Sequence, residues 1–218
     1  MKFLTKNALT FVAGYCDTVT FIAMGGVFSA HVTGNFVLFA AAIAQGIESH
    51  DYIKILTFPF FVLAVILGTL LYHKLHKSKG DTCYKSLLWA MTALLMIAAV
   101  LSFAQNDWLN ITVTMIVVIA LGIQNTIHHF LPGPMTTVMT GTVMNTTANL
   151  TEKYILRQTP MQQGKEAKAL PGLWMIVSFL AGCVLAAIAA ILFGLTALLL
   201  AALVMFTVMI FEREKGKA

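Results

Sequence analysis

Two apolar stretches of the chain carry polar residues whose types and spacing suit solute binding inside a membrane. Residues 25–46 contain a Thr-Gly-Asn tripeptide at 33–35, and residues 131–150 contain Thr-Gly-Thr at 140–142. A threonine before a helix can accept an unpaired backbone N–H, and the helix start adds free N–H groups and a positive dipole end. With Thr33 and Thr140 as caps, two helix starts at mid-membrane would suit an anion or a strongly polar solute.

Ionisable and amide side chains occur near both tripeptides. Asp17 is the one acid well inside an apolar segment, and Asn125 occupies the matching position of the second half, beside Gln124. An intramembrane carboxylate is a functional hypothesis: it could couple protons, hold a cation, or hydrogen-bond the Thr33 region to lock the segment. His31 is either a hydrogen-bonding residue or a proton relay. The candidate solute-binding residues are Asp17, His31, Thr33, Gly34, Asn35, Gln124, Asn125, Thr137, Thr140, Gly141, Thr142 and Asn145.

The sequence contains no motif typical of an enzyme or a metal centre. No pair of histidines has the spacing and carboxylate company of a metal site, and no P-loop, HExxH or nucleophile elbow is present. His128 and His129 end an apolar segment and are expected to be interfacial. The three widely spaced cysteines, Cys16, Cys83 and Cys183, are interpreted as packing residues. We therefore expect no catalytic residue, no metal and no cofactor.

Composition indicates an integral membrane protein. The 218 residues are 59% hydrophobic and 11% charged, whereas about a quarter of the residues of a soluble domain are charged. The mean hydropathy is +0.84. The net charge of +5 comes from lysines and arginines at the ends of apolar segments, which argues against nucleic-acid binding. We expect one membrane domain over 1–218.

The apolar segments predict six membrane-spanning helices and two broken segments, since a span needs about 20 apolar residues. In each broken segment Gly25-Gly26 or residues 132–134 end a helix, an extended run follows, and a new helix begins near Thr33 or Thr140. The predicted spans are 4–24, 53–72, 86–104, 108–127 and two helices between Lys168 and Glu212 with a turn near Gly194.

Loop charge predicts the orientation, because lysine and arginine favour the cytoplasmic side. Basic residues concentrate before residue 7, in 73–85, in 151–168 and in the tail after residue 212. The loop 48–54 leans acidic, and the turn 105–107 has no basic residue. Both termini are therefore expected in the cytoplasm.

This orientation predicts an inverted repeat. Segment 25–46 must enter and leave on the outer side, and segment 131–150 on the inner side. Three spans remain in each half, so 4–104 and 108–211 form a 3+3 inverted repeat of an all-α polytopic membrane protein with two re-entrant broken half-helices. Interrupted segments at matching positions point to a transporter site. Chance similarity between apolar helices is the alternative.

Two further patterns agree with the repeat. Small residues at four-residue spacing, Ala64 and Gly68 in one half and Gly182 onward in the other, let membrane helices approach closely. The face from Gly182 to Gly194 could instead serve a homodimer. In the second half-helix, Thr142, Asn145, Asn149 and Glu152 share one face, which is expected to line a cavity or, alternatively, to meet lipid headgroups.

The motifs AGYCDTVTFIAMGGVFSAHVTGNFVLF, ALGIQN and TTVMTGTVMNTTANL resemble the YoaK-like family of uncharacterised bacterial inner-membrane proteins, which carry a domain of unknown function. The resemblance covers nearly the whole chain. Ile123 stands where the family often has Met, and His31 where Asn or another polar residue is common. The resemblance implies the fold and an inner-membrane location and leaves the solute open.

These observations predict a non-enzymatic secondary transporter or channel-like protein for a small polar or anionic solute, working by alternating access. The expected partners are the lipid bilayer, the solute and a second copy in a homodimer, with no nucleic acid. The alternative is a non-transporting structural or assembly protein. That alternative predicts a dry, filled centre in which the polar residues bond to each other.

Overall fold

The computed structural model describes residues 1–104, 106–131, 133–157 and 169–214, and within these ranges the regular structure is helical with no strand. This confirms the all-α prediction for the described residues. Predicted basic residues Lys165, Lys168, Lys215 and Lys217 lie outside them, as do Gln105 and Pro132. The helices are α1 (Phe3–Ala23), α2 (Val32–Gln45), α3 (Tyr52–Lys79), α4 (Tyr84–Leu101), α5 (Asp107–Phe130), α6 (Met139–Leu150), α7 (Ala169–Phe193) and α8 (Leu198–Glu214), with 3-10 turns at Gly80–Cys83, Ser102–Ala104 and Gly194–Ala197 and a π turn at Thr151–Ile155.

Four helical segments in this part of the chain are long and apolar enough to cross a membrane. The last of them is 42 residues long and contains both α7 and α8, divided by the turn at Gly194, where φ is +58°. The predicted pair of helices with a turn near Gly194 is thus confirmed. The segments are Tyr52–Lys79, Tyr84–Ala104, Asp107–Phe130 and Pro171–Glu212.

The predicted basic loop 73–85 is wrong in its conformation, because α3 continues through it to Lys79. Residues 73–79 contain leucine and lysine, which favour helix, and no glycine or proline. The helix stops at Gly80, whose φ is +54°. The basic residues of 73–79 therefore lie on the last two turns of α3, where the negative end of the helix dipole stabilises cations.

Two closely packed helix pairs organise the bundle. α1 packs along α7, and α3 packs along α5. α4 lies against α5 and α8, and α8 also contacts α1. Fully buried side chains from α1, α4, α5 and α8 form one apolar core, represented by Leu9, Leu88, Leu121 and Leu198. The outer faces of α3 and α7 are apolar and exposed, as expected for helices that meet lipid.

Glycines permit both close helix pairs. A Cβ on Gly182 of α7 would lie 2.3 Å from the Phe11 carbonyl oxygen of α1. A Cβ on Gly122 of α5 would lie 2.6 Å from the Ala64 Cβ of α3. The predicted close approach of small residues is confirmed, and the start of the Gly182 face packs within the chain.

The half-helices α2 and α6 lie at the edge of the bundle, against α3 and α7 respectively. α2 contains 14 residues, and α6 contains 12 and continues into the π turn Thr151–Ile155 of 5 residues, which at about 1.5 Å per residue gives lengths of about 21 Å and about 25 Å. The hydrocarbon core of a bilayer is about 30 Å thick. Both are shorter than this thickness, and their starts at Val32 and Met139 lie within a residue of the predicted ones.

Candidate functional site

The first break, residues 24–31, folds against α1 and is held by Asp17. The Asp17 Oδ1 atom accepts the backbone N–H groups of Ser29 at 2.7 Å, Ala30 at 2.6 Å and His31 at 3.4 Å. Its Oδ2 atom lies 2.5 Å from His31 Nδ1. Asp17 is 4% exposed. Of the roles considered for this carboxylate, the geometry matches a lock on the broken segment.

Asn35 secures the same loop from the other side. Its Oδ1 accepts the Phe28 N–H at 2.8 Å, and its Nδ2 donates to the Phe28 carbonyl at 2.8 Å and to Thr57 Oγ1 at 2.9 Å. An extended backbone buried in a membrane protein needs partners for both of its polar groups. One amide side chain supplies both for Phe28 and also ties α2 to α3.

The second break, the described residues between α5 and α6, is held by two side-chain amides of α5. Gln124 Nε2 donates to Thr136 Oγ1 at 2.6 Å, and Asn125 Oδ1 accepts from Thr137 Oγ1 at 2.6 Å. Gln124 Nε2 also donates to the Leu9 carbonyl of α1 at 3.0 Å. Among the described residues, Gln124 Oε1 is buried without a donor. The predicted residues Gln124, Asn125 and Thr137 are thus brought together.

The two breaks share one bonding pattern. In each, a polar side chain of the preceding helix binds the loop twelve residues later, and a polar side chain of the half-helix binds back to a residue seven positions earlier. The bonds are Asp17–Ser29 and Asn35–Phe28 in the first break, and Gln124–Thr136 and Thr142–Met135 in the second.

His128, which is predicted to be interfacial, lies in the last turn of α5 and is 7% exposed. The loop before α6 folds back over the last turns of α5, so His128 Nε2 lies 2.7 Å from Thr136 Oγ1. The hydroxyl also accepts from Gln124, and toward His128 it can donate or accept according to the imidazole tautomer. The spacing of four residues from Gln124 was the available sequence signal.

The predicted caps are wrong. Thr33 and Thr140 lie in the first turns of their helices, the cap positions belong to His31 and Val138, and neither cap makes a side-chain bond to the helix. Loop hydrogen bonds fix where each helix begins, so each threonine lies two positions after the cap. Thr33, Thr140 and Gly141 are exposed, and a Cβ on Gly141 would meet nothing within 4 Å. Gly34 is half-buried beside Phe28.

The polar face of α6 packs against α7. Thr142, Thr146 and Asn149 are buried, and Asn145 is half-buried. A Cβ on Gly172 of α7 would collide with the Thr146 side chain, so glycine lets the polar face approach. Asn145, predicted to bind solute, lies at the margin of this contact rather than in the hydrogen-bonded cluster around Gln124.

Both ends of the first broken segment border one cleft of about 310 Å³. The cleft is lined by residues 23–25, where α1 ends, and by Glu48, His50, Asp51 and Lys54, where α3 begins. Lys54 and the Glu48 N–H bond the Asp51 carboxylate and hold its pKa below the ordinary value. The end of α1 and the start of α3 therefore lie side by side.

Comparison with known proteins places this architecture in a family. The model of a family described as "Protein of unknown function (DUF1275)" matches residues 7–211. The "UPF0700 transmembrane protein YoaK" of Bacillus subtilis (strain 168) is 27% identical over 155 residues, covering 70% of this chain and 68% of that protein. No solved structure was found to match. The predicted YoaK-like resemblance is confirmed, and this multi-pass membrane protein belongs to the DUF1275 family.

Proposed function

We propose that the chain is a secondary transporter or channel-like protein of the bacterial inner (plasma) membrane. It moves a small polar or anionic solute past the starts of α2 and α6. One observation carries the proposal: both half-helices begin at a partly buried loop held by side-chain bonds at the same sequence spacings, Asp17–Ser29 with Asn35–Phe28 and their counterparts. Irregular backbone at membrane depth is retained where it is packed in protein or lines a cavity.

The positions of the two anchors support helix starts that face each other. Gln124 bonds the Leu9 carbonyl of α1, so the second break is anchored at the level of Leu9. Asp17, the first anchor, lies eight residues further along α1, a rise of about 12 Å. The middle of α1 lies between these levels, so the two starts approach the centre of the bundle from opposite ends.

Helix packing supports an inverted 3+3 repeat of 4–104 and 108–211. In such a repeat α1, α2 and α3 correspond to α5, α6 and α7. The α1–α7 contact then corresponds to the α5–α3 contact, and the α2–α3 contact to the α6–α7 contact. In this arrangement α1 also spans the membrane, which brings the number of spans to six. Its charged residues Lys6 and Asp17 are compatible with a span because both have interaction partners within the protein. Loop charge then puts both termini in the cytoplasm.

The anchoring residues position the solute site rather than form it. Asp17, Asn35 and Thr142 bond loop groups, as does the amide nitrogen of Gln124, which leaves the first turns of α2 and α6 to meet the solute. Those turns offer backbone N–H groups and the positive dipole ends. Exposed hydroxyls at Thr33 and Thr140 add adaptable hydrogen-bond partners.

Flux through proteoliposomes tests the proposal. A panel of small anions and neutral polar solutes should include at least one that enters faster than into protein-free liposomes. Thr140→Val keeps the shape of the side chain but loses its hydroxyl, so flux should fall about threefold to tenfold, the loss expected for one hydrogen bond. The measurement is initial uptake at fixed protein density.

Thr147→Val is the matched control, because Thr147 is also exposed on α6 but lies two turns from its start. Its flux should equal that of the wild type. Equal losses of flux in Thr140→Val and Thr147→Val would contradict a pathway past the helix starts. An unchanged flux in the double variant Thr33→Val/Thr140→Val would contradict it as well.

The second candidate is a non-transporting structural or assembly protein, and one observation favours it. Asp17, Asn35, Gln124 and Thr136 are buried and bonded to loop or helix groups, as a dry centre would require. The two functions differ at the helix starts. A transporter admits water-soluble reagents to Thr33 and Thr140, whereas a filled scaffold keeps them out.

A further inference from the structure

The anchor of the first break is an ionisable pair, whereas the anchor of the second is the neutral amide of Gln124. His31 Nδ1 lies 2.5 Å from Asp17 Oδ2, while Oδ1 is occupied by backbone N–H groups of residues 29–31. The His31 side chain is 36% exposed and that of Asp17 only 6%. The histidine is therefore the more accessible member of the pair.

The geometry suits both protonation states of His31. A neutral imidazole with hydrogen on Nδ1 still donates to Asp17, and the pair then carries one negative charge. The loop N–H groups and the positive end of α2 compensate that charge. A protonated imidazole keeps the same bond, now charge-assisted, and the pair is neutral. Neither state leaves the buried carboxylate without donors.

We propose that His31, paired with Asp17, is the proton-binding residue that couples proton movement to anion movement, an inference that rests on the transport function proposed above. With His31 neutral, the Asp17 charge lies beside the positive start of α2 and repels an anionic solute. When His31 Nε2 takes a proton from water, the net charge there becomes zero and an anion can bind. Release of the proton to water reverses the change, so proton and anion move together.

The charged and titratable groups that face the pair are few and identifiable. From α7 the Phe179 ring lies 6.0 Å from the His31 ring, and the Cys183 thiol contacts the Gly14 carbonyl one turn below Asp17. From α3, Lys54 approaches Gly26, but its charge is paired with Asp51. No described group in these contacts supplies a second positive charge to Asp17.

Charged thiol reagents measure this switch without a known solute. Thr33→Cys and Thr140→Cys are made singly in a cysteine-free background and reconstituted in nanodiscs. Each reacts with anionic sulfonatoethyl and cationic trimethylammonioethyl methanethiosulfonate at pH 5.5 and pH 8.5, and the ratio of the two rates reports local charge. At Thr33→Cys the anionic-to-cationic ratio should be about tenfold higher at pH 5.5, as one unit charge near the thiol implies.

Two variants and one control position assign the effect. Adding His31→Gln should flatten the pH dependence at a low ratio, whereas adding Asp17→Asn removes the negative charge and should raise the ratio at both pH values. Thr140→Cys, whose anchor is Gln124, should show no such change. An unchanged ratio at Thr33→Cys would overturn the proton site while leaving the pathway intact. Failure of both reagents at both positions would mean that water reaches neither helix start, and would overturn the transport function itself.

Discussion

Asp17→Ala should lower the stability of the protein by about 3 kcal/mol or more, the loss typical of deleting one member of a buried bonded charge cluster. The substitution leaves the N–H groups of residues 29–31 and the His31 ring without their acceptor. Unfolding in detergent, followed by intrinsic fluorescence against temperature, should shift well below the wild-type transition.

Asp17→Asn separates the charge from the hydrogen bonds. Its Oδ1 can still accept the Ser29 and Ala30 N–H groups, so it should lose clearly less stability than Asp17→Ala. Glu48→Ala, in the exposed loop before α3, should change stability by no more than about 0.5 kcal/mol. A wild-type transition for Asp17→Ala would mean that the carboxylate does not hold the first break.

Gly182→Ala should cost about 2 kcal/mol through overpacking of the α1–α7 contact. The added Cβ would lie 2.3 Å from the Phe11 carbonyl oxygen and 3.1 Å from the Tyr15 nitrogen. Both are backbone atoms of α1, which cannot rotate away, so the helices must separate. Chemical denaturation in mixed detergent micelles measures the loss.

Gly141→Ala is the matched control for that change. A Cβ at this position meets nothing within 4 Å, and alanine favours helix over glycine by up to about 1 kcal/mol. It should leave stability unchanged or slightly raised. Equal losses for the two variants would contradict the close contact at Gly182.

The helices and the two breaks could be predicted because their signals are local. Apolar length identifies the long helices, and Gly25-Gly26 ends α1 where φ values of +62° and +88° favour glycine. The close helix pairs could be predicted from small residues such as Ala64 and Gly182, because small residues at four-residue spacing are typical of close helix packing.

The details of the site could not be predicted because they depend on how the loops fold back. The bond from Asn35 to Phe28 and the cover of the loop over His128 exist only after the chain reverses direction. The same folding places the helix starts at Val32 and Met139, before Thr33 and Thr140, so a local capping rule gave the wrong cap.

Sidedness of single cysteines in intact cells tests the central claim that both half-helices return to the side from which they entered. Single cysteines are placed in a cysteine-free background and treated with a membrane-impermeant maleimide. Ser49→Cys and Thr196→Cys should label in intact cells, whereas Lys2→Cys, Ser78→Cys and Arg157→Cys should label only after lysis. Protection of Ser49→Cys together with Lys2→Cys would mean that α2 crosses the membrane, and would contradict the re-entrant architecture.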